Sequence, residues 1–226
     1  SQKKEWRNAV SAVGGWHKQG YYGLQRLGGY SLNNDLILSA DHKFGDFNVD
    51  GFIGGNVYYW KSDNILGETQ NGLKIPGYYS LKSSIDPVKT TSGITKKLVT
   101  SVYAKASVSW KSTLFLDVTG RNDWSSTLAK GSNSYFYPSV ALSTMVSEYI
   151  KLPTFMDYLK MYGSWAVVST DLSPYQIMST YTKDSNYGSN PSISYPSSLV
   201  NYYIKPQKTT SWEAGLSTAF FRKRLS

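Results

Sequence analysis

The chain has 226 residues, a formal net charge of +9 and 19 Tyr, which is enough length for one or two ordinary domains. The absence of Cys excludes disulfides, thiolate catalysis and metal sites built on sulfur. No apolar run approaches the roughly 18 residues that a membrane-spanning helix needs, so a place in a membrane would require strands.

The N-terminal part predicts one hairpin. The opening residues 1–6 are basic but no apolar segment follows them, so they are not a secretory signal. Residues 35–41 alternate apolar and polar side chains, and residues 47–57 do the same after a turn near Gly45. Alternation with a period of two is typical of a strand that has one apolar face.

The period-two signal is most regular in residues 102–111 and 114–123. The first run places Val102, Ala104, Ala106, Val108 and Trp110 on one face and mostly polar side chains on the other. The second run repeats the pattern, and only a tight turn separates the two. These runs predict a second hairpin, and residues 139–147 and 212–220 predict further strands of the same kind.

The links between the predicted strands differ in length. Short turns are expected at 44–46 and 111–113, and a modest one at 149–158, with 152–156 as a candidate helical turn. Long polar links are expected at 15–34, 61–97, 125–134 and 169–207. Strands of about 9 to 11 residues with every second link long are typical of an outer-membrane β-barrel.

About nine such strands are expected. They would leave open edges that lipid cannot satisfy, so other strands must complete the wall. The end of the chain, residues 220–226, reads as a strand entering a hairpin turn, which favours a partial barrel. A soluble carbohydrate-binding β-sandwich is the alternative, because it also alternates and also contains hairpins. Nucleic-acid binding is disfavoured because Lys and Arg are scattered along the chain.

One long motif carries a resemblance to a known family. Residues 116–128 read LDVTGRNDWSSTL, residues 134–143 read SYFYPSVALS and residues 205–216 read KPQKTTSWEAGL. In this order they resemble SusC/RagA-like TonB-dependent transporters, and the resemblance covers nearly the whole chain. Ala129 stands where that family often has Pro, and residues 167–171 replace its usual Gly-Asn.

The resemblance implies an all-β chain that contributes part of a 22-stranded antiparallel transmembrane barrel. All 226 residues would belong to that barrel domain, and the plug domain would lie outside them. It implies TonB-dependent import of a glycan, oligosaccharide or peptide across the outer membrane of a Bacteroidetes-type cell. The implied partners are a SusD-like surface lipoprotein, TonB acting through the plug, and outer-membrane lipid. A passive porin and a surface adhesin are the alternatives within the membrane.

Polar side chains within the motif are candidates for a structural role in the barrel wall. Arg121 and Asp123 share the inward face of their strand and are expected to pair with each other or with neighbouring strands. Glu213 is expected to form an ion pair on the inward face, with the plug as one candidate partner. Asn122 and Trp124 complete this set near the outer rim.

Aromatic residues near the strand ends are expected to form a girdle at the membrane surface. This set comprises Tyr21, Tyr22, Tyr58, Tyr59, Trp60, Tyr78, Tyr79, Tyr135, Tyr137, Tyr202 and Tyr203. Aromatic rings in the loop 181–203 are the candidates for binding a ligand or a lid protein, since they offer apolar area at low entropic cost. These ligand-binding candidates are Tyr181, Tyr187, Tyr195, Tyr202 and Tyr203.

No catalytic constellation is expected. His17 and His42 are the only imidazoles and stand far apart without a carboxylate cluster, so we predict no enzyme, metal site or cofactor. Residues 46–51 resemble the opening of a calcium loop, but Val57 stands where a bidentate Glu is needed. Alternating polar residues on an inward strand face explain this segment better.

Overall fold

A computed structural model describes residues 1–10, 19–184, 186–221 and 224–225. The protein is all-β in these residues, apart from two three-residue 3-10 turns at Leu81–Ser83 and Val146–Glu148. The ten strands are β1 Gln2–Asn8, β2 Tyr21–Phe44, β3 Phe47–Leu73, β4 Ser84–Trp110, β5 Leu114–Ser125, β6 Ser134–Met145, β7 Met156–Thr170, β8 Thr182–Lys183, β9 Ile193–Ser194 and β10 Gln207–Phe220. Across the described ranges, no helix has both the length and the apolar character that a bilayer span demands. Residues 11–18, which include His17, and residues 185, 222, 223 and 226 lie outside the described part.

The contacts divide the chain into two compact units. Unit 1 comprises residues 1–32 and 59–97, and unit 2 comprises residues 33–58 and 98–226. The strands β2, β3 and β4 contribute residues to both units. In unit 1, β1 pairs antiparallel with the first part of β2, placing Trp6 opposite Gly23. The hydrogen-bonded order there is β1-β2-β3-β4, and residues 74–83 connect β3 to β4.

In unit 2 the hydrogen-bonded order is β2-β3-β4-β5-β6-β7-β10, while β8 and β9 form a separate small hairpin. The alternation predicted from the sequence is retained in the register. Val118 pairs with Ala106 on one side and with Val140 on the other. Val140 in turn pairs with Trp165, and Trp165 pairs with Trp212. One apolar row therefore continues across five neighbouring strands.

This apolar face of unit 2 is largely uncovered. Leu36 and Leu38 on β2 are 73% and 68% exposed, and Leu142 and Leu216 are exposed as well. Burial of such a face contributes roughly 25 cal/mol per Å² of apolar surface removed from water, so a row left open in water would be unfavourable. The face therefore has the character of a surface that contacts hydrocarbon.

Two hairpins of unit 2, β2–β3 and β4–β5, are each closed by a tight turn. Lys111 and Ser112 adopt positive φ values of 50° and 56°, and the Thr113 amide donates to the Trp110 carbonyl oxygen at 2.9 Å. This geometry corresponds to a type I′ turn, whose twist matches that of the flanking strands. At the β2–β3 turn, Gly45 has a φ of 57°, a conformation that glycine adopts without strain.

The structure corrects three details of the sequence prediction. The expected lengths hold roughly for β5, β6, β7 and β10, but β2, β3 and β4 have 24, 27 and 27 residues. The links expected at 15–34 and 61–97 were therefore wrong, since most of their described residues are strand. The helical turn lies at Val146–Glu148 and not at 152–156.

Candidate functional site

A polar cluster on the face opposite the apolar row joins three strands of unit 2. Arg121 Nε lies 2.7 Å from Asp123 Oδ1, and an Arg121 guanidinium nitrogen donates to Ser101 Oγ at 2.9 Å. Tyr137 Oη donates to the second Asp123 carboxylate oxygen at 2.5 Å. Asp123 is only 6% exposed, so these charge-assisted bonds compensate for the removal of its carboxylate from water.

The cluster continues onto β2 and β3. The Arg121 guanidinium lies 5.5 Å from the centre of the Tyr103 ring, a cation–π distance. Tyr103 Oη donates to Asp35 Oδ1 at 2.9 Å, and the Asn56 amide donates to the same oxygen at 2.9 Å. A row of polar contacts therefore connects five adjacent strands of unit 2, and it can fix their register.

Gly54 provides the space for this row. A Cβ at Gly54 would lie 2.6 Å from the Tyr103 ring, closer than carbon atoms can approach. The ring thus packs directly over backbone, as aromatic side chains do when they cover a strand glycine. The same arrangement occurs at Gly215, where a Cβ would lie 2.3 Å from Tyr162.

A second polar cluster holds the link between β5 and β6. Ser125 Oγ donates to Asp171 Oδ2 at 2.5 Å, and Thr127 Oγ1 donates to the same oxygen at 3.2 Å. Ser125 and Thr127 are almost completely buried. Two hydroxyl donors thus connect this link to the residue that follows β7, which restrains the loop between β5 and β6.

The predicted ligand-binding tyrosines lie in the segment between β7 and β10. Tyr181 and Tyr195 flank the β8–β9 hairpin, with ring centres 5.1 Å apart in an edge-to-face arrangement. Tyr202 and Tyr203 form a similar pair at 5.2 Å. Tyr187 is 87% exposed at the tip of the hairpin. The segment presents two aromatic pairs and a projecting ring, with a large exposed apolar area.

The remaining predicted wall residues occupy different positions. Asn122 is on the opposite face of β5 from Arg121 and donates to Ser134 Oγ at 3.0 Å. Trp124 is partly exposed at the end of the same strand. Glu213 lies on β10 opposite Ser164, and no ion pair reaches it from any residue of the described ranges. Its proposed plug partner stays a prediction.

Sequence reasoning missed part of the first cluster. Asp35 and Asn56 were read as alternating polar residues, Ser101 was not singled out, and Tyr137 was assigned to the aromatic girdle. Asp35 and Tyr103 are 68 residues apart in the chain, and a single sequence carries no signal for such a pair. Tyr103 also covers Gly54 on the neighbouring strand, and these two residues are likewise far apart in the sequence.

Comparisons with known proteins agree with this architecture. Residues 3–226 match the family described as "TonB dependent receptor-like, beta-barrel". No curated protein matches the chain. Among solved structures, the "RagAB peptide transporter" superposes with a TM-score of 0.86 at 13% identity, over 98% of this chain and 25% of that one. The "RagAB peptide importer in the 'closed-closed' state" gives a TM-score of 0.81 at 14% identity, over 91% and 23%. The chain thus spans about a quarter of the length of these proteins.

Proposed function

Since the chain belongs to the family of TonB-dependent receptor-like β-barrels, we propose that it forms part of the wall of an outer-membrane transporter that imports a large nutrient. The family is one of transporters and not of enzymes. The match confirms the predicted family, and the similarity of fold to the RagAB chains confirms the predicted all-β partial barrel. Energy would reach the transporter through TonB.

The observation that carries this proposal is the continuous apolar row across β4, β5, β6, β7 and β10. Its opposite face carries charged and hydroxyl side chains, among them Lys105, Asp117 and Arg121. A sheet of this composition suits a wall with lipid on one side and a watery lumen on the other. A soluble sandwich would bury the apolar rows in a core, whereas Leu36, Leu38 and Leu216 are exposed.

Measurement of nutrient uptake by whole cells tests the proposal. A deletion strain that expresses the full transporter should accumulate the nutrient, and loss of TonB or collapse of the proton-motive force should abolish accumulation. A passive porin would keep uptake under both conditions, and a surface adhesin would show binding without uptake. Either result would overturn active import.

The substrate is proposed to be a glycan or a peptide. The chains of similar fold are named peptide transporters and importers, and the exposed aromatic pairs of the segment 181–203 suit either class. Deletion of 181–203 is expected to abolish binding, while unchanged affinity would remove this segment from the binding site. The girdle remains the proposed role of Tyr58, Tyr59, Trp60, Tyr78 and Tyr79, whereas Tyr137 lies on the inward face with Asp123.

A SusD-like surface lipoprotein is the proposed partner. The segment 181–203 exposes Tyr187, Ile193, Tyr195 and Leu199 to solvent, an apolar surface of the kind that a protein partner covers. Co-purification of the full transporter from its own cells should recover one lipoprotein in equal amounts. Replacement of these four residues by Ser should reduce that recovery, and full recovery would exclude this segment as the interface.

A further inference from the structure

A group of aromatic and amide side chains shares one face of unit 1. Trp6 on β1 lies opposite Gly23 on β2, and Asn8 lies opposite Tyr21. A Cβ at Gly23 would lie 2.6 Å from Tyr21 Oη and 3.2 Å from Trp6 Cε3. The two rings therefore meet above a strand position that has no side chain. Trp6 remains 41% exposed, so part of its ring is open to a ligand.

Polar groups surround these rings. Tyr21 Oη donates to Glu68 Oε1 at 2.8 Å, and the Gln25 amide donates to Asn64 Oδ1 at 3.0 Å. A cleft of about 320 Å³ is lined by Trp6, Asn8, Tyr21, Leu66 and Glu68. This volume is at the small end of the range for ligand pockets, about 300–1,000 Å³.

Glu68 and burial also act on the Tyr21 hydroxyl. Burial, followed by the hydrogen bond to Glu68, raises the pKa of Tyr21 to about 12. The hydroxyl is therefore neutral and orients one oxygen of the Glu68 carboxylate throughout the physiological range. An oriented carboxylate next to a partly open ring is a preorganised recognition element.

Few charged side chains lie on this face in the three strands that form the cleft. By strand alternation the face comprises the even positions of residues 2–8, the odd positions of 21–27 and the even positions of 62–68. Within these described stretches its only ionised side chains are Lys4 and Glu68. The other polar groups are amides and hydroxyls, which donate and accept hydrogen bonds without net charge.

The position of the cleft along β2 favours contact with an extracellular ligand. Tyr21 is the first residue of β2, and the tight turn at Gly45 follows its last residue. The strand has 24 residues, whereas a tilted membrane strand needs about 9–11. β2 therefore has more residues than a membrane span uses, and Tyr21 is at the end of the strand away from the turn at Gly45.

We infer that this cleft binds one neutral sugar residue of a glycan. The apolar face of the sugar ring packs on Trp6, and its hydroxyls exchange hydrogen bonds with Glu68 and Asn8. A cationic peptide side chain would also suit an aromatic ring beside a carboxylate, but the other polar groups of this face are amides and hydroxyls, which match the hydroxyls of a sugar. This inference rests on the proposed import function and adds its substrate class.

Binding to the full transporter in detergent tests the inference. A glycan array that contains neutral and acidic glycans should give neutral binders, and calorimetry with the strongest of them should give its Kd. Trp6→Ala should weaken binding roughly tenfold, the change expected for one lost aromatic contact. Trp6→Phe retains a ring and should bind within about threefold of the unchanged protein. Glu68→Gln should also weaken binding.

The matched control is Tyr30→Ala. Tyr30 lies on β2, the strand of Tyr21, but on the face opposite the cleft, where its ring centre is 5.9 Å from that of Tyr59. This variant should bind as the unchanged protein does. The inference is overturned if no neutral glycan binds or if Trp6→Ala binds the glycan with unchanged affinity. It is also overturned if a Lys-rich peptide displaces the glycan from the unchanged protein and Trp6→Ala weakens binding of that peptide.

Uptake by the same variants separates the two proposals. Glycan binding that depends on Trp6, combined with uptake that does not require TonB, would overturn active import and retain the cleft. TonB-dependent uptake with unchanged affinity in Trp6→Ala would retain active import and overturn the cleft. The two failures thus give different results.

Discussion

The Asp123 carboxylate provides a quantitative test of the cross-strand cluster. It is 6% exposed and accepts hydrogen bonds from Arg121 and Tyr137. A hydrogen bond to a charged group contributes roughly 1.5–3 kcal/mol. We take the lower end because the Arg121 side chain is 38% exposed and solvent screens its charge. Asp123→Ala removes both bonds and should lower the free energy of unfolding by about 3 kcal/mol.

Tyr137→Phe removes one of these two bonds and should lower the free energy of unfolding by about 1.5 kcal/mol. The double variant should lose only about 3 kcal/mol, because its second change removes a bond that the first has already broken. The coupling between the two sites is then about 1.5 kcal/mol. Urea unfolding of the folded barrel, followed by Trp fluorescence, measures all three values.

Tyr135→Phe is the control for this cycle. Tyr135 pairs with Asp123 across the strands and stacks on Tyr137, but it forms no hydrogen bond with Asp123. Its hydroxyl loss should change the free energy of unfolding by less than about 0.5 kcal/mol. Additive effects of Asp123→Ala and Tyr137→Phe, within about 0.5 kcal/mol, would refute the assigned hydrogen bond.

Three further predictions follow from the strands. Val140→Arg, on the apolar row, should lower the free energy of unfolding by about 2–4 kcal/mol. Ala141 lies opposite Asp117 on the other face, and Ala141→Arg should change the free energy of unfolding by less than about 1 kcal/mol. Equal losses in urea unfolding would contradict the assignment of faces. Combined Lys111→Asn and Ser112→Gly should stabilise by about 1 kcal/mol, since both positions have positive φ; a loss of stability would argue against the type I′ turn. The raised pKa of Tyr21, about 12 against an ordinary 10.0, means that its neutral hydroxyl stabilises the fold at pH below 10 and that this contribution is lost as the pH rises through 12. Tyrosinate absorbance of the unchanged protein minus that of Tyr21→Phe should therefore show a step near pH 12, and a step near pH 10 would contradict both the burial of the Tyr21 hydroxyl and its contact with Glu68.

The membrane-facing part of the fold could be predicted from the sequence because lipid imposes a strict rule on it. Every second side chain in the lipid-facing part of β5 and β6 must be apolar, and Leu116, Val118, Val140 and Leu142 follow that rule. From this alternation, the positions of the strands and tight turns can be predicted even when the neighbouring strands are unknown. The motif around Arg121 then identifies the family.

The far parts of β2, β3 and β4 could not be predicted in this way. Residues 21–32 and 84–97 have no consistent apolar face, and they contain Gly28, Gly29 and Pro87, which are unfavourable in strands. Hydrogen bonding to neighbouring strands maintains them although their side chains do not alternate. Period-two reasoning has no signal to detect there, so these segments were read as loops.

The candidate sites were predicted only where their residues are close in sequence. Arg121 and Asp123 are two residues apart on one strand, and that spacing was visible. The contact between Ser125 and Asp171 spans 46 residues, and the cleft at Trp6 joins three separate strands. Such sites depend on register, which one sequence does not encode locally.

Spin labels on single introduced Cys residues test the central claim that one face of the sheet contacts lipid. This chain has no Cys of its own, so each label would be unique within it. In the reconstituted transporter, labels at Leu116, Leu142 and Leu216 should collide with lipid-soluble oxygen and be shielded from a water-soluble nickel complex. Labels at Ser139, Ala141 and Ser164 should show the reverse. Equal accessibility on both faces, or apolar positions shielded from both reagents, would contradict the account.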